Sequence, residues 1–278
     1  MTAKIIDGKK LAEKIRKEIK EKVKKLDVKP GLAFVLVGNN PASQLYVGNK
    51  DKAGKEAGFY IETHHLPENT DQLKLLNLVD KLNQDRKIHG MIIQLPLPKQ
   101  IDEKLIIEAI LPHKDADGFN PINVGNMLIG NNLIIPATPK GIMKLIESTG
   151  VNIEGKYAVV VGRSNIVGKP VSILLQQKNA TVTMCHSRTK HLVQYTKQAD
   201  ILVVAVGKAK VIKADMVKKG AIVVDVGTNK VNGRLVGDVD FDNVKKVASY
   251  ITPVPGGVGP MTIAMLLENT LECMDLIR

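Results

Sequence analysis

Tyr157-Ala158-Val159-Val160-Val161-Gly162-Arg163-Ser164-Asn165-Ile166-Val167-Gly168-Lys169-Pro170 is the stretch that decides the fold. Its opening apolar residues read as a strand, and residues 167–178 carry a helical pattern. A glycine-bearing loop between strand and helix lets the backbone approach a pyrophosphate, whose charge the helix N-terminus stabilises. The spacing departs from GxGxxG: Ser164 replaces the second glycine, and the last one, Gly168, comes one residue late. On the loop alone, an ordinary glycine turn in an α/β unit therefore stays open beside the dinucleotide reading.

Working outward, residues 180–185, 201–206 and 221–226 read as further strands, 229–238 as a hairpin turning at Asn232-Gly233, and 261–277 as a final helix. Towards the N-terminus the same alternation returns. Residues 9–26 are an amphipathic helix, 31–38 a buried strand ending in glycine, 43–57 a helix, 59–65 a strand and 71–83 a helix. Residues 90–95 form another buried strand, stopped by Pro96 and Pro98. Residues 115–139, rich in Gly, Asn and Pro, read as loop and domain crossing. Strand–helix–strand order in both halves predicts an α/β fold with parallel sheets.

The 278 residues, 44% of them hydrophobic, suffice for one large core or two smaller ones, and no apolar run is long enough to cross a bilayer. Residues 1–8 lack the charged-then-apolar pattern of a signal peptide, and Cys185 and Cys273 form neither a disulfide framework nor a metal spacing, so a cytoplasmic setting is expected. The net charge of +12 comes mostly from lysines on amphipathic helices; on 9–26, Leu11, Ile15, Ile19 and Val23 share the other face. Such lysines are a solvated face, with attraction of an anionic small substrate as the second reading. Nucleic acid ranks third, because aromatic residues are only 3% of the chain and no basic run is interleaved with them.

Where an NAD site places an acid to bind the ribose hydroxyls, the chain reads Cys185-His186-Ser187-Arg188-Thr189. A hydroxyl and a guanidinium suit a ribose 2′-phosphate, and Arg163 stands ready to close on it, so the cofactor reading leans to NADP; a solvated Arg188 is the alternative. In the first half, Tyr46 and Lys50 lie four residues apart on one helical face. A buried lysine can work as acid or base, though any single lysine in so basic a chain is more commonly a surface residue. Gln94 is more informative: it interrupts an apolar strand at its C-terminal end, where α/β sheets place ligands, and needs a hydrogen-bond partner. Asp117 beside Gly118 reads equally as a turn residue. His64, His65 and His186 have no second ligand at metal spacing, so no metal site is expected, and Cys185 reads as core.

Together these pieces resemble the bifunctional methylenetetrahydrofolate dehydrogenase/cyclohydrolase family over essentially the whole chain. Ser43-Gln44-Leu45-Tyr46-Val47-Gly48-Asn49-Lys50-Asp51-Lys52-Ala53 looks like its lysine-bearing helix. Gln94-Leu95-Pro96-Leu97-Pro98 and Lys114-Asp115-Ala116-Asp117-Gly118-Phe119 look like its substrate motifs, 162–170 like its cofactor loop, and Pro253-Val254-Pro255-Gly256-Gly257-Val258-Gly259-Pro260-Met261-Thr262 like its closing loop. The resemblance implies catalytic roles for Lys50, Gln94, Tyr46 and Asp117, and folate contacts from Tyr46, Gln94, Leu95, Asp117, Pro255, Gly256 and Gly257. It also implies NADP contacts from Gly162, Arg163, Ser164, Ser187 and Arg188, and from the backbone of Thr228, where the family usually has Ile. Ala137 stands where the family often has Cys. The implied architecture is a folate-binding domain over 1–137, completed by 258–278, and a Rossmann-like NADP-binding domain over 138–257, with a cleft between them and the last helix returning to the first.

The implied activity is NADP-dependent oxidation of 5,10-methylenetetrahydrofolate, followed by hydrolysis of the methenyl product to 10-formyltetrahydrofolate, in a homodimer joined near Asn232-Gly233. Three rivals stand beside it. A monofunctional NAD(P)-dependent methylenetetrahydrofolate dehydrogenase is opposed by retention of Tyr46, Lys50 and Gln94, a different Rossmann dehydrogenase acting on a hydroxy or amino acid by the lack of a motif for a hydride-relay His or Lys, and a basic nucleic-acid-binding protein by the low aromatic content.

Overall fold

The computed structural model describes residues 2–277 and divides the chain into two compact units, Lys14–Ala137 with Ile263–Arg278, and Met1–Glu13 with Thr138–Thr262. The chain opens with β1 (Lys4–Ile5) and α1 (Gly8–Val23) and continues through β2 (Gly31–Val37), α2 (Pro41–Glu56), β3 (Tyr60–Leu66), α3 (Gln72–Gln84), β4 (Gly90–Ile93), α4 (Glu103–Ala109) and α5 (Pro121–Leu128). The unit built around 14–137 holds a three-stranded sheet in the order β3-β2-β4, and both strand pairs are parallel. Every residue of the central strand β2 and of the edge strand β4 is buried, as their apolar sequences require, whereas the opposite edge strand β3 carries only exposed and half-buried residues. Ala33, Val35 and Val37 pack with Leu75, Val79 and Leu82 of α3 and with Ile106 of α4.

The connections leave β2 for opposite sides: α2 leads to β3 on one flank, and α3 leads back past β2 to β4 on the other. That reversal opens a crevice at the C-terminal ends of β2 and β4, where open α/β sheets bind ligands. Asn40 caps α2 by accepting from the Ala42 and Ser43 amides at 3.0 and 3.1 Å, with Pro41 in the first turn.

The segment expected to be loop over 115–139 is not uninterrupted. Asn120 accepts from the Ile122 amide at 2.9 Å and Pro121 opens α5, so an Asn-Pro pair that reads as a breaker is here a helix start. A second helix, α6 (Ala137–Glu147), begins before the expected loop ends. Strand β4 stops at Ile93, two residues short of the expected end, although the Gln94 amide still donates to the Val35 carbonyl.

After α6 come β5 (Tyr157–Val161), α7 (Gly168–Gln177), β6 (Thr181–Cys185), α8 (Leu192–Thr196), β7 (Ile201–Val204), β8 (Ile222–Asp225), β9 (Asn229–Val231), β10 (Arg234–Val236), α9 (Phe241–Val244), β11 (Tyr250–Ile251) and α10 (Val258–Ile277). Six strands form one parallel sheet in the order β1-β11-β8-β7-β5-β6. Pairing of Lys4 with Tyr250 and Ile5 with Ile251 adds β1 to this sheet, which brings the first residues of the chain into the later unit. Chain direction across the sheet reverses between β5 and β7, again marking a ligand-binding edge. The β9–β10 hairpin turns at Asn232 and Gly233 with φ of 48° and 78°, as a two-residue primed turn requires. Among the described residues, no helix is long and apolar enough to cross a membrane.

Candidate functional site

Lys50 lies on the inner face of α2 with Ser43, Val47 and Ala53, only 9% exposed. Its Nζ donates to Gln94 Oε1 at 3.0 Å, which supplies the partner that a polar residue beyond β4 needs. The Gln94 amide nitrogen in turn donates to the Leu95 carbonyl at 2.8 Å, so its oxygen is held towards Lys50. The Leu95–Pro96 peptide is cis. Tyr46 stands one helical turn before Lys50 and is 42% exposed, leaving its ring open to a ligand.

Asp117 completes this group. Burial pushes its carboxyl up from the ordinary range, and the charge of Lys50 pulls the other way. The turn that carries it is tied down by residues to which the sequence assigned no role. Asp115 is buried; its Oδ1 accepts from the Gly118 amide at 3.0 Å, and its Oδ2 from the Asn120 amide at 2.7 Å and Asn123 Nδ2 at 3.2 Å. Asn269 of α10, fully buried, donates through Nδ2 to the Ala116 carbonyl at 2.9 Å and the Ile135 carbonyl at 2.8 Å. The Ala137 amide donates to the Asp117 carbonyl at 3.3 Å, and Gly118, at φ 74°, abuts Ile135 and Pro136 with no room for a side chain. Lys114, also buried, donates to the Leu82 and Asp85 carbonyls and so caps the end of α3. Among the described residues, no three His, Cys, Asp or Glu side chains gather as metal ligands would.

In the later unit, Gly162 follows β5 with φ 131°, and a side chain there would meet the Ala205 carbonyl after β7. Gly168 packs directly on the Gly162 carbonyl, bringing the start of α7 against the end of β5. The Ser164 hydroxyl accepts from the Val167 and Gly168 amides at 3.1 and 3.3 Å, marking donors that an anion can also use. Arg163 and Arg188 are exposed, and no ion pair among the described residues engages either. His186 acts locally: its Nδ1 accepts from the Arg188 amide at 3.1 Å and its amide donates to Thr189 Oγ1 at 2.9 Å, shaping the turn that presents Ser187 and Arg188. Thr228 is exposed beyond β8. These features fit a dinucleotide with a 2′-phosphate: a close-packed glycine loop, a helix N-terminus and two unengaged guanidiniums at the ends of adjacent strands.

Pro255, Gly256 and Gly257 lie in the later unit, beyond β11, whereas Tyr46, Lys50, Gln94, Leu95 and Asp117 lie in the earlier one. The Gly256 carbonyl accepts from the Lys9 amide at 2.9 Å, and Gly257 packs on Gly8 too closely for a side chain on the latter. Cys185 is buried in the sheet core and burial pushes its thiol up, away from nucleophilic chemistry.

Two buried carboxyls, Asp115 and Asp225, are each pushed up to about 6 by burial, although backbone amides oppose the shift. Their folded values lie above the ordinary 3.8, so between those limits the folded chain holds protons that the unfolded chain has released. Their contribution to stability is therefore fully present below pH 3.8 and is lost as pH rises through about 6. Carboxyl carbon NMR of aspartate-labelled protein should show two groups with midpoints near pH 6, one disappearing in Asp115→Asn and the other in Asp225→Asn.

Residues 6–117 match the tetrahydrofolate dehydrogenase/cyclohydrolase catalytic domain, and residues 136–277 match the NAD(P)-binding domain of the same family. The bifunctional protein FolD of Moorella thermoacetica is 57% identical over 276 residues, covering 98% of this chain and 99% of that protein. The crystal structure of the bifunctional FolD methylenetetrahydrofolate dehydrogenase/cyclohydrolase from Campylobacter jejuni superposes with a TM-score of 0.98 at 50% identity, covering 99% of this chain and all of that one. The Trypanosoma brucei methylenetetrahydrofolate dehydrogenase-cyclohydrolase, solved with NADP cofactor and an inhibitor, superposes with a TM-score of 0.96 at 42% identity, covering 100% and 99% of the two chains.

Proposed function

The chain belongs to the tetrahydrofolate dehydrogenase/cyclohydrolase family, and from that premise we propose that it is a bifunctional enzyme of folate one-carbon metabolism. It oxidises 5,10-methylenetetrahydrofolate to the 5,10-methenyl cation with NADP and then hydrolyses that cation to 10-formyltetrahydrofolate. The observation that carries this reading is the hydrogen bond from buried Lys50 to half-buried Gln94 at a sheet switch point, with Asp117 close enough to feel the lysine charge.

The unit around 14–137 holds the folate: Tyr46 offers its exposed ring to the pterin, and Asp117 its carboxyl to the pterin edge. Leu95 supplies a further folate contact. Bound NADP supplies the hydride acceptor. Gly162, Arg163, Ser164, Ser187, Arg188 and the Thr228 backbone hold it in the unit around 138–262. In the hydrolytic step, water adds to the methenyl carbon, and the tetrahedral adduct collapses once a proton reaches the departing ring nitrogen. Lys50 handles that proton. Gln94, fixed by the Leu95 carbonyl, accepts one Lys50 N–H and aims the amine without adding a charge. Retention of the Lys50–Gln94 pair favours this over a monofunctional dehydrogenase.

The NADP preference is tested by Arg163→Ala with Arg188→Ala. Loss of two charge-assisted contacts should raise the KM for NADP by roughly 10²-fold while leaving that for NAD nearly unchanged. Equal losses with both cofactors would assign the arginines elsewhere.

We further infer a cytoplasmic homodimer whose 10-formyl product supplies purine biosynthesis. Val231 and Leu235 of the β9–β10 hairpin, 43% and 48% exposed, support that hairpin as the contact. Sedimentation should show a dimer for the wild type and a monomer for Val231→Lys with Leu235→Lys.

A further inference from the structure

Two carboxylates in the later unit have no part in the function proposed above, yet Asp238 is fully buried and Asp225 is 3% exposed. A buried carboxylate is costly unless hydrogen-bonded, so their contacts show what they hold. Asp238 Oδ2 accepts from the Val206 and Gly207 amides at 2.7 and 2.9 Å, and its Oδ1 accepts from Asn229 Nδ2 at 2.9 Å. Asp225 Oδ1 accepts from the Gly227 and Asp238 amides, and its Oδ2 from the Val239 amide, all at 2.9 Å. The pair ties together the segment after β7, the segment after β8 and the Asp238-Val239 segment that follows the β9–β10 hairpin.

We propose that Asp238, braced by Asp225, is a positioning residue that fixes the backbone around Thr228 and Val206-Gly207 for the nicotinamide end of the dinucleotide. The inference rests on the cofactor assignment made above. Thr228 is exposed but its neighbours are not free to move: the Gly227 amide is held by Asp225 and the Asn229 side chain by Asp238. Val206 and Gly207 follow Ala205, whose carbonyl faces Gly162 across the β5–β7 switch point. The carboxylates therefore anchor the lip of the crevice where such sheets bind their ligands. Two glycines accommodate them. A side chain on Gly227 would overlap the Asp238 carboxyl, and one on Gly237 the Asp225 carboxyl. A buried pair that served packing alone would have no reason to place three of its six contacts on the backbone amides of Val206, Gly207 and Gly227, which flank the cofactor-side ends of β7 and β8.

The test uses the full chain and exploits its second activity, which needs no dinucleotide. Asp238→Ala should weaken NADPH binding, read by fluorescence of the reduced nicotinamide, by roughly tenfold or more, the effect of losing at least one effective hydrogen bond. Hydrolysis of supplied methenyltetrahydrofolate should stay within about twofold of wild type. Asp238→Asn should recover most of the binding, because its oxygen can serve the two amides while the Asn229 amide turns to accept from its nitrogen. If Asp238→Ala does not fold, Asn229→Ala carries the test, with binding weakened several-fold and hydrolysis normal. NADPH binding at wild-type strength in the folded variant, or hydrolysis falling in parallel with binding, would overturn the proposal. A wild-type chain that hydrolyses the methenyl substrate but does not bind NADPH would overturn the cofactor assignment itself and this inference with it.

Discussion

Lys50→Met should cut hydrolysis of methenyltetrahydrofolate by about 10²–10⁴-fold, the range that a positioned proton-transfer group contributes. Methionine keeps the length and apolar stem of lysine, so α2 can still pack its inner face, while the amine that donates to Gln94 Oε1 at 3.0 Å is gone. NADPH affinity should be unchanged, because the residues assigned to the dinucleotide all lie in the other compact unit. Gln94→Glu offers a graded companion. It replaces a neutral acceptor by a carboxylate, which favours the charged ammonium and should slow hydrolysis while preserving the contact. Steady-state rates on supplied methenyl substrate, with NADPH fluorescence titrations, measure both. Wild-type hydrolysis in Lys50→Met would remove the lysine from the mechanism.

Asn269→Ala carries the largest expected effect on stability. Its Nδ2 serves the Ala116 and Ile135 carbonyls, and removing it leaves two buried or half-buried acceptors unsatisfied, at a cost of about 2–5 kcal/mol. The loss should also be felt at the site, since Ala116 precedes Asp117: the KM for the folate substrate should rise more than kcat falls. Asn269→Asp separates hydrogen bonding from packing. It keeps the shape but turns an acceptor towards two carbonyls, so it should be at least as destabilising as alanine. Denaturant unfolding measures the cost, and an aspartate variant as stable as wild type would show that this clamp does not hold the turn.

The long elements were legible because their burial is written in local pattern. Strands β2 and β4 are uninterrupted apolar runs between glycine and proline signals, whereas the place of β3 at a sheet edge shows only in its exposed and half-buried residues. The two-residue strands β1 and β11 were not legible: nothing in Lys4-Ile5 or Tyr250-Ile251 signals a strand until pairing across the chain defines one. Helix α5 was hidden because Asn-Pro serves both to end and to begin a helix, and only the Asn120 cap shows which applies.

At the site, Gln94 announced itself as a polar residue beyond an apolar strand that needs a hydrogen-bond partner, and the fold shows that partner to be Lys50. Asn269 and Asp238 gave no such sign, and Asp115, though inside the 114–119 motif, gave none of its role. Each acts on backbone groups, which carry no side-chain signature in sequence, and the Asn269 contact with Ala116 spans 153 residues. Residues that do the chemistry can be picked out by type and spacing; residues that hold the backbone around them become visible only once the fold exists.

The central claim is that one chain performs both steps and that Lys50 serves the second. The direct measurement gives 5,10-methylenetetrahydrofolate and NADP to wild type and to Lys50→Met, following NADPH and the methenyl absorbance together. The wild type should form NADPH while the methenyl signal stays low, and the variant should accumulate methenyl product nearly one for one with NADPH. A variant that forms NADPH while clearing the methenyl signal as fast as wild type would contradict it.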